Sequence, residues 1–509
     1  MLSRIHSVGL RGIDGYPVLV ELDLANGLPG YTTVGLPDSA VRESRERVAA
    51  AVRNSGYRFP QRRITVNLAP AQARKEGTHF DLPIALAVLS ASGQIPAEGW
   101  PGRYCFAGEL ALDGTLRPVP GILSMAIEAK ARGFEAMIVP SRNAAEAGAI
   151  GLKAFGAGSL REVADFLAGQ GVLGELPREA RPLLAASGED LSDVKGQALA
   201  KRALEIAAAG GHNVLLVGPP GTGKSMLARR LATLLPPLTE GESLEVARIH
   251  SVSRKGGIGG IVAERPFRSP HHTASTVSLI GGGPAGRPGE VSLAHGGVLF
   301  LDELAEFGRQ ALEALRQPLE EGKVAVARAR DVLEYPARFL LVAATNPCPC
   351  GWRGHPSRDC LCTPPAVSRY ISRLSGPLLD RIDIQVEMAP IEFGQWSQSR
   401  PGESAETSGE VLRRVLKARR LQRERFDRSD FAVNAYIPPR ELRRHAALDG
   451  EGLRILEEVA KTMALSARSL DRVLKVARTI ADLAASPLVT AAHLAEAVQY
   501  RGLDRLSRL

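Results

Sequence analysis

One short segment limits what this chain can fold into more than any other. Gly218-Pro-Pro-Gly-Thr-Gly-Lys-Ser225 directly follows an apolar run, Asn213–Val217, and precedes an amphipathic run, Met226–Leu235. A phosphate-binding loop requires this order of strand, glycine-rich loop and helix. The sequence therefore predicts an α/β domain in which loop amides and the helix N-terminus surround the phosphates of a nucleotide. An ordinary glycine-rich turn is the alternative. The predicted nucleotide contacts in this segment are Gly218, Pro219, Pro220, Gly221, Thr222, Gly223, Lys224, Ser225 and Met226.

Two further apolar runs end in polar residues suited to phosphate chemistry. Val298–Leu301 ends in Asp302 and Glu303, and a later run ends in Asn346. Buried parallel strands of an open α/β sheet deliver such residues at their carboxyl ends, where ligands bind. Asp302 and the Ser225 hydroxyl are predicted to hold Mg²⁺, and Glu303 to act as general base. Asn346 is predicted to orient the attacking water or the γ-phosphate. A strand that merely ends in a solvated acidic turn is the alternative.

The chain divides into three blocks. Residues 1–170 mix strand-like and helical patterns, as in an α+β or α/β domain. Residues 191–395 alternate buried strands with helices, which predicts a parallel sheet with crossovers, and residues 410–509 have helical periodicity. The intervening residues 171–190 and 396–409 are polar and rich in Gly, Pro or Ser, and they are predicted to be linkers.

The cysteines predict a metal site. Four of the five cysteines form two C-x-C pairs separated by nine residues, within an insert at residues 348–362. Such clustering is typical of a metal site rather than a disulfide framework, and four thiolates suffice for a tetrahedral zinc. Reduced thiols without metal are the alternative, and His355 lies between the pairs as a possible substitute ligand. Cys105 stands apart and is predicted to be a small core residue. The predicted zinc ligands are Cys348, Cys350, Cys360 and Cys362.

Charge and hydropathy bear on partners. Lys and Arg number 64 against 55 Asp and Glu, a net charge of +9, which permits an anionic partner such as nucleic acid without identifying one. The apolar runs, such as Leu82–Leu89, are far shorter than the roughly 18 residues of a membrane helix. The first residues lack the apolar stretch of a secretory signal. A soluble, cytoplasmic protein without a membrane partner is expected.

A basic segment lies between the predicted strands that end in Glu303 and Asn346. Lys323, Arg328 and Arg330 belong to an alternating segment that predicts a β-hairpin with the two arginines on one face. Cations on such a face are suited to contact the phosphates of a nucleic acid such as DNA without reading sequence. A solvated hairpin face is equally compatible with the pattern.

These motifs together resemble those of the AAA+ ATPases. Asp190-Leu-Ser-Asp-Val-Lys-Gly-Gln197 resembles that family's adenine-side element, which includes Val194 here. Asp302 and Glu303 match its Walker B pair and Asn346 its sensor-1 position. Leu378-Leu-Asp-Arg-Ile-Asp383 resembles an arginine-finger segment, and Ser466-Ala-Arg-Ser-Leu470 the start of a sensor-2 helix. The resemblance implies three roles. Arg381 acts on a neighbouring subunit of a homo-hexamer, Arg468 couples to the γ-phosphate, and the C-terminal helices form a lid. Both arginines have an alternative reading as surface charges.

A closer resemblance is carried by Phe267-Arg-Ser-Pro-His-His-Thr273, Gly281-Gly-Gly-Pro284 and Leu293-Ala-His-Gly-Gly297, just before the Walker B strand. These segments are similar to the ComM/YifB-like family of magnesium-chelatase-like bacterial ATPases, and the likeness covers essentially the whole chain. It implies a hexameric ATP- and Mg²⁺-dependent motor that drives branch migration or unwinding of DNA in recombination during natural transformation. His271 and His272 receive no role from it.

Two other functions stay open. A chelatase-like metal-insertion ATPase would need a partner subunit and a porphyrin. Two features argue against it. About 190 residues precede the AAA+ core, and the cysteine insert has no counterpart known in the magnesium chelatase that acts on porphyrins. A protein-remodelling ring would predict aromatic and apolar channel residues where the hairpin offers cations.

The N-terminal block resembles a Lon-protease-type domain through Leu36–Glu43, Arg74–Leu82 and Pro120–Met125. His79 stands where that family has its nucleophilic serine, and Leu123 where it has its general-base lysine. Without a nucleophile and a base, peptide hydrolysis has no mechanism. A catalytically degenerate module that is structural, ring-forming or DNA-binding is expected.

Overall fold

The structure is a computed structural model that describes residues 1–175, 188–253, 262, 264–283, 286–327, 332–390, 406–426, 432–463 and 465–502. Arg328 and Arg330 lie outside these residues, as do residues 176–187 and 396–405 of the two predicted linkers. The chain forms two compact units. The first contains Met1–Leu183 and Thr239–Ala263, and the second contains Leu184–Leu238 and Glu264–Leu509.

The strands are, in chain order, β1 (Leu2–Arg11), β2 (Asp14–Ala25), β3 (Gly30–Val34), β4 (Arg63–Ala69), β5 (Tyr104–Phe106), β6 (Glu109–Leu110), β7 (Leu116–Arg117), β8 (Ala136–Pro140), β9 (Lys153–Ala157), β10 (Gly174–Glu175), β11 (Val214–Val217), β12 (Phe267–Arg268), β13 (Gly281–Gly282), β14 (Arg287–Pro288), β15 (Val298–Leu301), β16 (Lys323–Ala327), β17 (Val332–Pro336), β18 (Leu340–Thr345) and β19 (Ile384–Glu387).

The helices are α1 (Ser39–Asn54), α2 (Asp81–Ala91), α3 (Ile122–Ala131), α4 (Ala144–Gly148), α5 (Leu160–Leu167), α6 (Ala198–Gly210), α7 (Lys224–Leu234), α8 (Glu240–Val252), α9 (Thr276–Ile280), α10 (Glu290–Leu293), α11 (Arg309–Ala314), α12 (Arg316–Glu321), α13 (Pro364–Ile371), α14 (Gly376–Leu379), α15 (Ser408–Arg425), α16 (Pro439–His445), α17 (Gly450–Thr462), α18 (Ala467–Leu483) and α19 (Ala491–Gln499). Short 3₁₀ turns lie at Ser141–Asn143, Leu191–Asp193, Leu304–Glu306 and Asn434–Tyr436.

The first unit contains two four-stranded sheets, in the orders β1-β2-β4-β3 and β10-β9-β8-β5. β2 pairs antiparallel with both β1 and β4, and its apolar residues alternate with charged ones, so that one face is buried. α2 is buried along its whole length because β1, β2 and α1 pack around it. This accounts for its uninterrupted apolar sequence.

α8 follows the phosphate-loop helix in the sequence but belongs to the first unit. It packs on α3, and the hydroxyl of Ser251 donates a hydrogen bond to the buried carboxylate of Glu146. The amide of Gly121 donates to the carbonyl of Ser251 at 2.8 Å. The chain therefore leaves the second unit after α7 and re-enters it before β12, which the block pattern of the sequence does not predict.

The second unit is built on a five-stranded parallel sheet in the order β12-β15-β18-β11-β19. β11, β15 and β18 are buried at every position, as expected for parallel strands covered on both faces. The predicted α/β class, the parallel sheet and the three apolar strands are confirmed. β11 lies between β18 and β19, so the order of the strands reverses at this point of the sheet. In α/β sheets, ligands bind at the carboxyl ends of the strands where the order reverses.

The C-terminal residues of the second unit are helical, as their periodicity predicts. α15 and α18 pack on α6, and their apolar residues share one core with the sheet. A buried imidazole adds polar links: His212 Nδ1 lies 3.2 Å from an Asp383 carboxylate oxygen, and its Nε2 lies 2.7 Å from Thr479 Oγ1. These contacts join the end of α6, the start of β19 and the middle of α18.

In the part of the chain that the structure describes, no helix combines the length and the apolar character that crossing a bilayer requires.

Candidate active site and cysteine cluster

The phosphate-binding segment connects the end of β11 to the first turn of α7. Gly221 and Gly223 have φ of +79° and +87°, a backbone region that glycine adopts without strain. Gly218 has a different requirement, since a Cβ atom there would stand 2.5 Å from the carbonyl oxygen of Met388. The glycines at these three positions therefore allow the tight loop that leads into the helix N-terminus.

Lys224 lies in this loop and is largely buried. Its ammonium group donates hydrogen bonds to the carbonyls of Gly218 at 2.6 Å and Pro219 at 2.8 Å. The same nitrogen lies 3.2 Å from Oδ1 of Asn346, at the end of the neighbouring strand β18. Burial lowers the pKa of Lys224, and the charges of Asp302 and Glu303 oppose that shift. The arrangement places one cation where the ends of two strands meet.

Ser225 and Asp302 form a second contact at this edge of the sheet. The hydroxyl of Ser225 donates to Oδ2 of Asp302 at 2.6 Å, and the amide of Glu303 donates to Oδ1 of Asp302 at 2.9 Å. A hydroxyl oxygen beside a carboxylate is the kind of ligand pair that Mg²⁺ prefers. These residues therefore fit the predicted magnesium site.

Glu303 follows Asp302 in a left-handed backbone conformation, with φ of +54°. Its carboxylate oxygen Oε2 lies 2.9 Å from Nδ1 of His272. The ring of His271 lies against that of His272, with centroids 4.1 Å apart. The sequence alone gives these histidines no role. No strand pattern in the sequence marks them, because β12, which precedes them and runs parallel to β15, has only two residues.

The segment predicted to contact the adenine side is hydrogen-bonded to α7. Val194 is buried, and Arg230 of α7 donates hydrogen bonds at 2.8 Å to the carbonyl of Asp190 and to the carboxylate of Asp193. Gln197, at the end of the same segment, donates to the carbonyl of Ala389 at 2.7 Å and to that of Thr222 in the phosphate loop at 3.4 Å. These bonds fix the segment beside the phosphate loop.

The two arginines implied by the family resemblance have different surroundings. The side chain of Arg381 is only 6% exposed, and it binds the carboxylate of Glu320 and the carbonyl of Pro377 within the same chain. Arg468 is exposed in the first turn of α18, a helix capped by Ser466. Within the described residues, neither guanidinium contacts Lys224.

The four clustered cysteines converge. Their sulfur atoms all lie within 4.8 Å of one another. The Sγ atom of Cys348 is 3.4 Å from that of Cys350 and 3.6 Å from that of Cys360. Tetrahedral zinc with Zn–S bonds of about 2.3 Å needs sulfurs about 3.8 Å apart, so the cluster fits a zinc ion. Cys105 is buried in the first unit, as predicted.

The predicted hairpin is formed by β16 and β17, which pair antiparallel. Lys323 lies at its base, where its ammonium nitrogen is 3.0 Å from the carboxylate of Glu334. In the first unit, His79 and Leu123 are both buried in the core.

Comparisons with known proteins cover almost the whole chain. Three family models match: magnesium chelatase, subunit ChlI, over residues 190–396; subunit ChlI of Mg-chelatase over residues 20–143; and the C-terminal region of magnesium chelatase subunit ChlI over residues 405–501.

Full-length relatives agree with these matches. The chain is 47% identical over 508 residues to protein YifB of Escherichia coli K12. It is 46% identical over 507 residues to YifB of Salmonella typhimurium LT2 and 44% identical over 511 residues to competence protein ComM of Haemophilus influenzae Rd. Each alignment covers 99% of this chain and 98% of the relative. The chain therefore belongs to the ComM/YifB-like family of magnesium-chelatase-like AAA+ proteins.

Proposed function

We propose that this protein hydrolyses ATP with Mg²⁺ and uses the energy to move on branched DNA. The observation that supports hydrolysis best is the convergence of Lys224, Ser225, Asp302 and Asn346 at the carboxyl ends of β11, β15 and β18. A phosphate loop, a metal-binding carboxylate and a polar residue on the next strand are the parts that phosphoryl transfer to water requires.

Each residue has a distinct task in this proposal. Lys224 binds the β- and γ-phosphates, and Val194 contacts the adenine side. Ser225 and Asp302 hold Mg²⁺, which neutralises charge on the phosphate oxygens when bound. Glu303 accepts the proton of the attacking water as general base. Asn346 orients that water or the γ-phosphate.

The assembly proposed is a homo-hexameric ring. Arg381 would then act as an arginine finger on the nucleotide of a neighbouring subunit, and Arg468 would couple a C-terminal helical lid to the γ-phosphate. Because Arg381 is bound to Glu320 within its own chain, the finger role requires that assembly displace this ion pair. In such a ring, the N-terminal unit would be a Lon-like module without protease residues. It would serve a structural, ring-forming or DNA-binding role.

Branched or single-stranded DNA is the proposed substrate, in recombination during natural transformation in the cytoplasm. The support is the competence protein ComM, which is similar to this chain over the full length, together with the net charge of +9. Lys323, Arg328 and Arg330 of the hairpin would contact the phosphate backbone. Lys323 already forms an ion pair with Glu334. The two arginines are therefore proposed to make most of the contact with DNA.

A chelatase-like metal-insertion ATPase is the second candidate, because the matching family models are named for magnesium chelatase. A protein-remodelling ring is a third, weaker one. DNA is favoured over both because full-length similarity to ComM is combined with a basic hairpin.

The cysteine cluster is proposed to bind a structural zinc. A short insert without its own apolar core needs such a cross-link to hold one conformation. Cys348, Cys350, Cys360 and Cys362 supply four thiolates, which close a tetrahedral site without leaving a position for a substrate.

The proposed function is tested by the ATPase rate without DNA and with duplex, single-stranded and four-way-junction DNA, at two salt concentrations. Stimulation by DNA that weakens as salt rises is expected, since phosphate contacts release counterions. Lys224→Ala serves as the inactive control. An ATPase that is indifferent to every DNA would contradict the proposed substrate and leave hydrolysis intact.

A further inference from the structure

The outer face of α15 carries four exposed cations, here called the basic stripe. They are Arg413, Lys417, Arg420 and Arg423. Because successive members lie three or four residues apart, they project from the same side of the helix. At 1.5 Å per residue, the stripe is about 15 Å long. From Val411 to Arg423 the sequence contains neither Asp nor Glu.

The other basic side chains of α15 point inward and have partners. Arg414 binds the carboxylate of Glu205 in α6. Arg419 donates to a backbone carbonyl of the same helix at 2.8 Å. Arg425 donates to the carboxylate of Asp482 in α18 at 2.9 Å. These three arginines therefore hold α15 against α6 and α18, which the stripe does not do.

The stripe itself has few partners. Within the described residues, no ion pair or side-chain hydrogen bond engages Lys417 or Arg423. Arg420 pairs with Glu424 at 3.0 Å, but both side chains are more than half exposed, so the pair contributes little. Like charges three or four residues apart destabilise a helix. The stripe therefore weakens α15 when the protein is alone, and a bound polyanion would remove this repulsion.

The composition of α15 indicates which polyanion fits. The helix contains no Phe, Tyr or Trp, so it cannot stack on bases as single-strand binders do. Its one side-chain amide, Gln422, is buried and donates to the carbonyl of Ala209 at 3.0 Å, so it cannot read base edges. Its side that bears Val411 and Val415 is buried in the core, whereas a helix lying in a lipid interface needs its apolar side exposed. Contact with a phosphate backbone remains.

We propose that the basic stripe of α15 binds the phosphate backbone of duplex DNA, as a second contact besides the hairpin of β16 and β17. Duplex DNA carries one negative charge about every 1.7 Å along its axis, so several phosphates lie within reach of a stripe of this length. Arg and Lys bind phosphates without regard to sequence. The inference rests on the proposed function, namely that DNA is the substrate.

A pair of double variants separates the stripe from surface charge in general. The first is Lys417→Gln with Arg423→Gln. The matched control is Arg454→Gln with Lys461→Gln, which also removes two exposed cations, but from α17, where acidic residues surround them. Because all four side chains are on the surface, both full-length variants are expected to keep the melting temperature of the parent.

The experiment measures affinity for labelled duplexes of two unrelated sequences, and for a single strand of the same length, over a series of salt concentrations. Each phosphate contact with a duplex contributes about 0.9 to the slope of log affinity against log salt. The stripe variant is therefore expected to lower the magnitude of this slope by about 2, equally for both duplexes. The control is expected to keep the slope of the parent.

The other outcomes are distinguishable. A stripe variant with the slope of the parent would overturn the inference and leave DNA binding through the hairpin standing. Equal losses in the stripe variant and the control would overturn it too, because net charge alone would then explain them. A loss confined to the single strand would contradict the duplex. An unchanged slope with a smaller oligomer would show that the stripe contacts another copy of the chain. A parent protein that binds no DNA would overturn the proposed substrate, and the inference with it.

Discussion

Gly351 in the cysteine insert lies directly against Pro220 in the phosphate loop. A Cβ atom added to Gly351 would stand 2.8 Å from Cδ of Pro220, closer than real Cβ contacts come. Two segments that are distant in the sequence are thus in contact in the second unit. The cysteine insert therefore packs against the phosphate loop.

Gly351→Ala is expected to weaken nucleotide binding. The added methyl group must displace the Pro220 ring, and overpacking of this kind costs about 1–3 kcal/mol, or about tenfold in affinity per 1.4 kcal/mol. Titration with a fluorescent ATP analogue measures the effect. Gly354→Ala is the matched control, because Gly354 also has positive φ, +76° against +81°, but nothing lies within 4 Å of its added Cβ. Equal affinities of the two variants would contradict the contact.

Replacing Cys348 and Cys360 together with serine is expected to remove zinc and lower the melting temperature. The two remaining thiolates cannot close a tetrahedral site, and binding energy of a structural zinc is folding energy. Elemental analysis of the purified protein should find one zinc per chain in the parent. Cys105→Ala, outside the cluster, should retain the metal. A metal-free parent protein purified without chelator would refute the zinc site.

The first unit should lose stability in mild acid through His79. Burial lowers the pKa of His79 from 6.5 to about 4. Between about pH 6.5 and about pH 4, His79 binds a proton in the unfolded chain but not in the folded one. Its contribution to the free energy of unfolding therefore falls as pH drops through this range and is constant below it. The full effect is about 3 kcal/mol.

His79→Leu isolates this contribution. The pKa of Asp81, raised to about 6 mainly by burial, gives a pH dependence of opposite sign that parent and variant share. Their difference in unfolding free energy, measured by urea denaturation across pH 4–7, should therefore grow with falling pH to favour His79→Leu. A difference independent of pH would show that His79 does not titrate as proposed.

Arg381 should act in trans. Arg381→Ala alone and Lys224→Ala alone are expected to have little ATPase activity. In the first variant an intact nucleotide site lacks its finger, and in the second the nucleotide site is defective. Mixed rings should regain activity at interfaces that pair one intact site with one intact finger, because a finger supplied by a neighbour contributes about 10³–10⁵ in rate. The ATPase rate is measured against the mixing ratio. A mixture that contains mixed rings but no activity would contradict the assignment.

Much of the second unit could be predicted from the sequence because its central strands are continuous apolar runs. Such runs are buried on both faces, and their carboxyl ends meet at one edge of the sheet. The contacts of Ser225 with Asp302 and of Lys224 with Asn346 follow from that arrangement.

Other features depend on pairing that periodicity does not encode. β12 has only two residues, too few for a strand pattern, so the contact between His272 and Glu303 was not predictable. α8 has an apolar face, but nothing in its sequence indicates that it packs on α3 of the first unit. Arg381 is paired with Glu320, a partner on α12 that no motif marks.

The most direct test of the central claim is conversion of a synthetic four-way DNA junction into duplex products, followed over time with the parent protein and with Glu303→Gln. The parent should convert the junction only with hydrolysable ATP and Mg²⁺. Glu303→Gln should bind ATP and DNA but leave the junction intact, because the general base is lost while Lys224, Ser225 and Asp302 remain. Conversion at the same rate by both proteins, or none by an ATP-hydrolysing parent, would contradict a motor driven by this site.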